Sequence, residues 1–502
     1  MSMFKLALIG LGLALLGLSA CAEPEQAGHS LRVGVGLEPP HLDPTSSAAA
    51  AIDEVVYANV FEGLTRINRD GQVVPALARE WTLSDDGLTY RFDLQDNVRF
   101  HDGSEFDSSS VQFSMETARA DGSTNPRPDI FAAIDTISII DPYTVEFSLH
   151  HPTSSFLFNL AQGDAVMVSP ASAASNTSQP VGTGPFQFTR WQKGQRIVLE
   201  RFDGYWGTAP LLDQVEFLII PDSAAAYAAL LAGDVDGFAN FPAPELIGQL
   251  SRDDRFQVIV GSTEGETVMG VNAQRAPFND IRVRQALSHA IDRSAIIEGA
   301  MYGFGTPIGS FFSPLHPAYL DLTAQSDFDP ERARELLAQA GYAEGFETEL
   351  KLPPTAYARR SGEIIAAQLA DIGIDVRLQY VEWASWLDEV LNRRAYQMTI
   401  VSHTEPADLS FFARDGNYFG YENATFAELL SQIETASDLE TRTALYQSAQ
   451  RQLADDAAAV FLFQLPQLGV WRSDITGVWP DAPIQAIDIT EIEFAQTDEP
   501  AQ

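Results

Sequence analysis

The 502-residue chain has one cysteine, Cys21, so no intrachain disulfide is open to it and its stability has to come from buried apolar surface. Basic residues are scarce. Lys and Arg number 31 against 69 Asp and Glu, a formal charge of −38, and Lys5, Lys193 and Lys351 are the only lysines. Such a surface excludes nucleic acid as a partner, because phosphate binding needs a basic footprint. The acidity fits either drift in a GC-rich genome or the solubility demands of a salt-adapted bacterium. Catalytic constellations are missing too: there is no cysteine nucleophile, no nucleophile elbow and no HExxH pair. The eight histidines are scattered except for His150-His151, and neighbouring side chains on a strand point to opposite faces, which makes that pair a poor metal site. Asp234 and Asp236 have the spacing of a carboxylate dyad, but 69 acidic residues produce such pairs by chance. These absences argue for binding rather than catalysis, with no enzyme activity, no cofactor and no metal. No internal repeat is present, and only the N-terminus carries a long apolar run.

That run opens the chain. Lys5 precedes the apolar stretch Leu6 to Leu18, and Leu18-Ser19-Ala20-Cys21 follows. The run is short for a membrane span and ends in small residues, as a signal segment does. Its ending resembles a bacterial lipoprotein box, which implies cleavage before Cys21 and lipidation of its sulfur. Residues 1–20 are then a signal peptide and 21–30 a tether. The remaining roughly 480 residues exceed one ordinary core, so two or three are expected.

The chain is organised around Pro75 to Asp107. Leu77 and Trp81 read as a short amphipathic turn, and Asp85-Asp86-Gly87 as a tight turn. Leu88, Tyr90, Phe92 and Leu94 alternate with polar residues, the pattern of a half-buried strand. A second strand is expected to begin at Val98 and Phe100. Elsewhere the pattern predicts a helix over Ala48 to Leu64, strands at Ile134 to Ile140 and Thr144 to Leu149, and a helix over Ser223 to Ala232 capped by Asp222 and closed by Gly233. Later come a helix starting at Asp280, helices at Ser361 to Ile372, Trp383 to Leu391 and Asp438 to Asp455, and strands at Ile374 to Tyr380, Gln397 to Val401 and Phe461 to Val470. Strand and helix alternate, which implies an α/β sheet with parallel strands.

Three stretches carry a family resemblance. The first is Pro75, Leu77, Ala78 and Trp81, then Ser84, Asp86, Gly87, Tyr90, Phe92 and Leu94, then Val98, Phe100, His101, Asp102 and Gly103. The second is Gly182-Thr183-Gly184-Pro185-Phe186 with Trp191 and Tyr205-Trp206-Gly207. The third is Pro277-Phe278-Asn279-Asp280-Ile281-Arg282-Val283-Arg284-Gln285-Ala286-Leu287. Together they resemble the signatures of family 5 extracytoplasmic solute-binding proteins, the peptide and nickel receptors of ABC importers. Gly182 and Gly184 do not read as a phosphate loop, since Pro185 lacks an N–H and a strand follows. Arg282 and Arg284 read as scaffold rather than as a ligand clamp.

The resemblance implies an α/β, periplasmic-binding-protein type II-like fold: two lobes, an extra subdomain inserted in the first lobe, and a ligand cleft between the lobes. The expected division is lobe I at 31–54, 181–265 and 471–495, the inserted subdomain at 55–180, lobe II at 266–470, and a disordered tail at 496–502. It implies a monomer that captures a peptide or peptide-like cationic ligand and delivers it to ABC permease subunits in a membrane. An oligosaccharide, opine or metal chelate is the alternative cargo, and a sensor or chaperone module the alternative class. The ligand-reading stretch falls at Ser402 to Tyr421. There Glu405 stands at the family's amine-anchoring position, Asp408 follows, and Ser402 replaces a Trp. His403, Trp383, Trp386, Tyr418, Phe419 and Tyr421 are the further candidates for the cleft wall.

Overall fold

The computed structural model describes residues 29–47, 49–404, 409–436 and 438–495. Cys21 and the apolar segment before it, Glu405, Asp408 and the 496–502 tail lie outside the described residues.

Among the described residues a mixed sheet of eleven strands carries the fold. At one end Ser30–Val35 runs parallel to Gln214–Ile219 and to Gly237–Phe238. The helix between the last two, Ser223–Ala232, is set by local chemistry. The Asp222 carboxylate accepts from the Ala225 N–H, and Gly233 adopts φ 74°, the left-handed conformation that stops a helix. At the other end Phe346–Leu352 is parallel to Ile374–Tyr380 and to Met398–His403, with the helix Ala356–Ala370 following the first of these. Two long antiparallel strands, Phe256–Val271 and Val460–Arg472, lie between and belong to both ends. Their ladder shifts register twice, between Thr267 and Val268 and, more widely, between Ser262 and Glu266. Ser262 pairs with Pro466 and Glu266 with Gln464, so Thr263, Glu264 and Gly265 stand opposite Leu465 alone. Such a bulge kinks a strand and re-aims its side chains.

Apolar residues gather on both sides of that break. Leu31, Val33, Val215 and Phe217 pack with Ile484, Ile489 and Ile492 from the end of the chain. Met269, Leu287, Ile365 and Met398 form a core at the far end of the sheet, and Val401, Phe412, Tyr418 and Phe461 another. A separate antiparallel sheet, in the order Ala78–Leu83, Thr89–Leu94, Thr144–Leu149, Ile134–Asp141, closes over Phe92, Phe100, Phe106, Phe147 and Phe156.

Three local expectations are corrected. Trp81 lies on the strand Ala78–Leu83 rather than in a turn, because its backbone pairs with Phe92. The helix after Ala48 spans only Ala50–Val56; Tyr57 is extended and Ala58 takes φ 64°, so Val60 and Phe61 are buried from irregular backbone. Val98 and Phe100 do not begin a strand, since only a single bridge, Arg99 to Glu105, forms there.

The first two signature stretches meet at one place. The buried Glu62 carboxylate accepts from the Thr183 hydroxyl at 2.8 Å, the Tyr205 hydroxyl at 2.9 Å and the Trp206 indole N–H at 2.9 Å. His101 lies beside this group. Its Nδ1 accepts from the Gly182 N–H and its Nε2 donates to the Gly184 carbonyl, which fixes the neutral tautomer. Burial lowers its pKa to about 4 accordingly. Gly182 and Gly184 are pressed against the Val60 and Asn59 carbonyls, where a Cβ would come within 2.0 and 2.5 Å. The strand Phe186–Gln192 follows, so these glycines serve close packing of backbone. Arg284 is scaffold as well, donating to the carbonyls of Phe278, Asp456 and Ala457. Arg282 donates to Asp280 and to the Gln339 carbonyl.

Candidate functional site

The break in the central strands opens onto a cavity of about 1160 Å³. Gly34, Leu37, Asn240, Phe241, Trp471 and Trp479 line it from the first end of the sheet. Tyr357, Arg359, Trp383, Trp386, Arg414 and Tyr418 line it from the other. Thr263, Glu264, Leu465 and Pro466, at the bulge, join the two walls. An apolar and aromatic wall with a few polar groups is the usual make-up of a small-molecule site.

The structure places the candidates unequally. Trp383 and Trp386 both border the cavity, stacked on each other with ring centres 5.2 Å apart and planes 8° from parallel. The Trp386 indole N–H donates to Thr399 Oγ1, which locks the pair to the sheet. They are the first and last residues of a short helix, Trp383–Trp386, that continues as a π-helical turn over Leu387–Asn392. His403 and Tyr418 reach the cavity together, His403 Nε2 and the Tyr418 hydroxyl 2.8 Å apart. Phe311 and Phe411 pack on the same imidazole. Among the described residues no group of three metal-ligating side chains is found.

Phe419 and Tyr421 are corrected. Neither borders the cavity. Phe419 is fully buried and stacks on Phe412 with centres 4.3 Å apart, and the Tyr421 hydroxyl donates to Asp456 at 2.6 Å behind the wall. They follow Tyr418 on an irregular segment, where adjacent side chains diverge. Glu405 and Asp408 lie outside the described residues.

Several cavity residues had no signal of their own in the sequence. Glu54 and Asp488 come from opposite ends of the chain, and burial raises the pKa of both, Glu54 to about 7. Glu264 is pushed up to about 7 by the same desolvation, against a hydrogen bond from Ser313. Its only mark in the sequence is that Glu264 and Glu266 are the two charged residues of the strand Phe256–Val271. Near the cavity one contact spans the sheet's ends. The Arg360 guanidinium pairs with Glu245 through both nitrogens at 3.2 and 3.3 Å and lies over the Tyr302 ring. Ser154 and Ser155 of the smaller body hydrogen-bond the end of the helix Ala424–Thr435, at Ile433 and Glu434.

The fold that carries this sheet and cavity is that of solved periplasmic binding proteins, and the resemblance extends along the chain. The family model for bacterial extracellular solute-binding proteins, family 5, matches residues 72–423. The chain belongs to that family, whose members are binding proteins of transport. It is 29% identical over 452 residues to the dipeptide-binding protein of Escherichia coli K12, covering 81% of this chain and 83% of that one. It is 30% identical over 501 residues to the glutathione-binding protein of Pectobacterium atrosepticum, covering 94% and 96%. Among solved structures, the periplasmic binding protein DppA of Helicobacter pylori in complex with the peptide STSA superposes with a TM-score of 0.86 at 26% identity, over 93% of this chain and 98% of that chain.

Proposed function

We propose that this chain is the substrate-binding lipoprotein of an ABC importer that captures peptides or peptide-like cationic small molecules and hands them to a membrane permease. The observation that carries the reading is the cavity of about 1160 Å³ walled from both ends of one sheet. It exceeds the range of roughly 300–1,000 Å³ usual for small-ligand pockets, which leaves room for a ligand of several residues. The relatives named for dipeptide, glutathione and a tetrapeptide support the same cargo class.

In this reading the two ends of the sheet are two lobes, with residues 55–180 inserted in the first and the strands through Glu264 and Leu465 as the hinge. Ligand stabilises the closed arrangement because only that arrangement touches it from both sides. Trp383, Trp386, His403 and Tyr418 form one wall, and Glu405 and Asp408 are the further residues expected to meet the ligand. The protein acts as a monomer without enzymatic activity, and Cys21 carries the lipid that holds it at a membrane outside the cytoplasm. The four tryptophans at the cavity also suit sugar rings, which keeps an oligosaccharide as the second reading.

A thermal-shift screen of the purified protein against di- to pentapeptides, glutathione, oligosaccharides and metal chelates tests this. Stabilisation by peptides is the expected result, and stabilisation by sugars or chelates alone overturns the peptide assignment.

A further inference from the structure

The bulge between Ser262 and Glu266 does more than kink the sheet. It is pinned by backbone and side chain alike. The Thr263 hydroxyl donates to the Leu465 carbonyl at 2.6 Å and accepts from the Gly265 N–H at 2.9 Å, while Gln464 Nε2 donates to the Thr263 carbonyl at 2.8 Å. Held in this way, Glu264 leaves the ladder and borders the cavity. Its Oε2 is buried and has no hydrogen-bond partner, and no ion pair with a basic side chain is found for it among the described residues. Beside it, a Cβ on Gly265 would lie 2.9 Å from Ser402 Oγ, which places that hydroxyl against the bulge. Ser402 also borders the cavity, and its Oγ is buried and likewise without a partner. The Ser402 N–H donates to the Tyr357 hydroxyl at 3.0 Å, which anchors the Ser402 backbone. Two buried, orphaned polar atoms on neighbouring strands are costly to a free protein, because each gives up water without replacement. The cost is met when a ligand supplies the missing donors.

We infer that Glu264 and Ser402 form a subsite for a cationic nitrogen group of the ligand, an ammonium or a guanidinium. This rests on the peptide-binding reading above and names which part of the cargo the bulge receives. A carboxylate oxygen and a hydroxyl oxygen are both acceptors, which suits a group that has several N–H donors and no acceptor. A carboxylate or phosphate on the ligand would meet like charge there. The partly protonated state that burial favours for Glu264 in the free protein gives way to the carboxylate once a cation arrives.

The test uses Ala-Arg-Ala, its N-acetyl form and Ala-citrulline-Ala in titration calorimetry with wild type, Glu264→Gln and Ser402→Ala. The free and acetylated peptides separate an α-ammonium from other groups, and citrulline removes the guanidinium charge at nearly constant shape. Glu264→Gln should weaken the peptide carrying the recognised cation by about tenfold to a hundredfold. It should bind the matching neutral peptide as wild type does, and Ser402→Ala should show the same selectivity with a smaller loss. The unliganded Glu264→Gln protein should melt no earlier than wild type, since a desolvated carboxyl with one unpartnered oxygen is replaced by a neutral amide. Equal weakening of all three peptides, no weakening of any, or a lower melting temperature of the free variant would each overturn the subsite while leaving peptide binding intact. If no peptide binds wild type, the peptide reading fails, and agmatine and methylammonium then probe the subsite alone. Stabilisation of wild type but not of Glu264→Gln supports it, and its absence for both cations overturns it.

Discussion

Replacing Glu62 by Gln should change how stability depends on pH, and the structure sets the sign and size. Burial pushes the Glu62 carboxyl up to about 7 from an ordinary 4.5, outweighing the three hydrogen bonds from Trp206, Thr183 and Tyr205 that favour the charged form. The folded state therefore holds the proton more tightly than the unfolded chain. Below roughly pH 4.5 both states are protonated and the fold has the full benefit. As pH rises from there to about 7 the unfolded chain ionises first, and stability falls by about 1.4 kcal/mol per unit. The total is about 3 kcal/mol, with no further change above the folded value. Glutamine keeps the shape and cannot ionise. Glu54 and Glu264 shift in the same direction and His101 in the opposite one, but all three remain in the variant and cancel from the difference. Urea unfolding followed by fluorescence of the seven tryptophans, at about pH 5 and about pH 8 for both proteins, gives that difference directly. Wild type should lose about 2.5 kcal/mol more than Glu62→Gln between the two conditions, the rest having been lost below about pH 5. Parallel profiles would refute the reasoning, because they would mean that the Glu62 pocket does not tell the proton from its absence.

The Arg360–Glu245 pair is about one third exposed on each side, so its coupling should be about 0.5–1 kcal/mol, read as a two- to fivefold loss of ligand affinity in Arg360→Gln that is not additive with Glu245→Gln in a double-mutant cycle. Additive losses would show that the pair does not span the bound form. Gly182→Ala drives a Cβ to 2.0 Å from the Val60 carbonyl and should cost roughly 3 kcal/mol or more or abolish folding, whereas Gly248→Ala, with open space around it, should be neutral in the same unfolding assay. Wild type isolated from membranes should carry a lipid on a new N-terminal Cys21, and Cys21→Ser should remain uncleaved or soluble; an intact mass showing cleaved, unmodified Cys21 would remove the anchor.

The stretches that the sequence made legible are those whose physics is local. Asp222 and Gly233 mark their helix because a cap is a contact between residues three or four apart, and Ile374 to Tyr380 shows its strand through period-two alternation. The Trp81 turn was misread for the opposite reason: its state depends on pairing with Phe92 across a hairpin. Trp386 and Tyr418 were within reach as cavity residues, but nothing in a run of aromatics says that Tyr418 faces the cavity while Phe419 stacks on Phe412 behind it.

By itself the sequence determined that the chain has an α/β sheet, a large disulfide-free core and the signatures of family 5 solute-binding proteins. Those signatures encode scaffold, since Thr183, Tyr205 and Trp206 spend their polar atoms on Glu62 and none of them lines the cavity. Only the tertiary structure decided what the cavity presents to a ligand. Glu264 borders it because a strand near the middle of the chain and one near its end fall out of register at Leu465, and Ser402 joins it from a third strand. Register between strands some two hundred residues apart is fixed by packing of the whole sheet, and no local pattern records it.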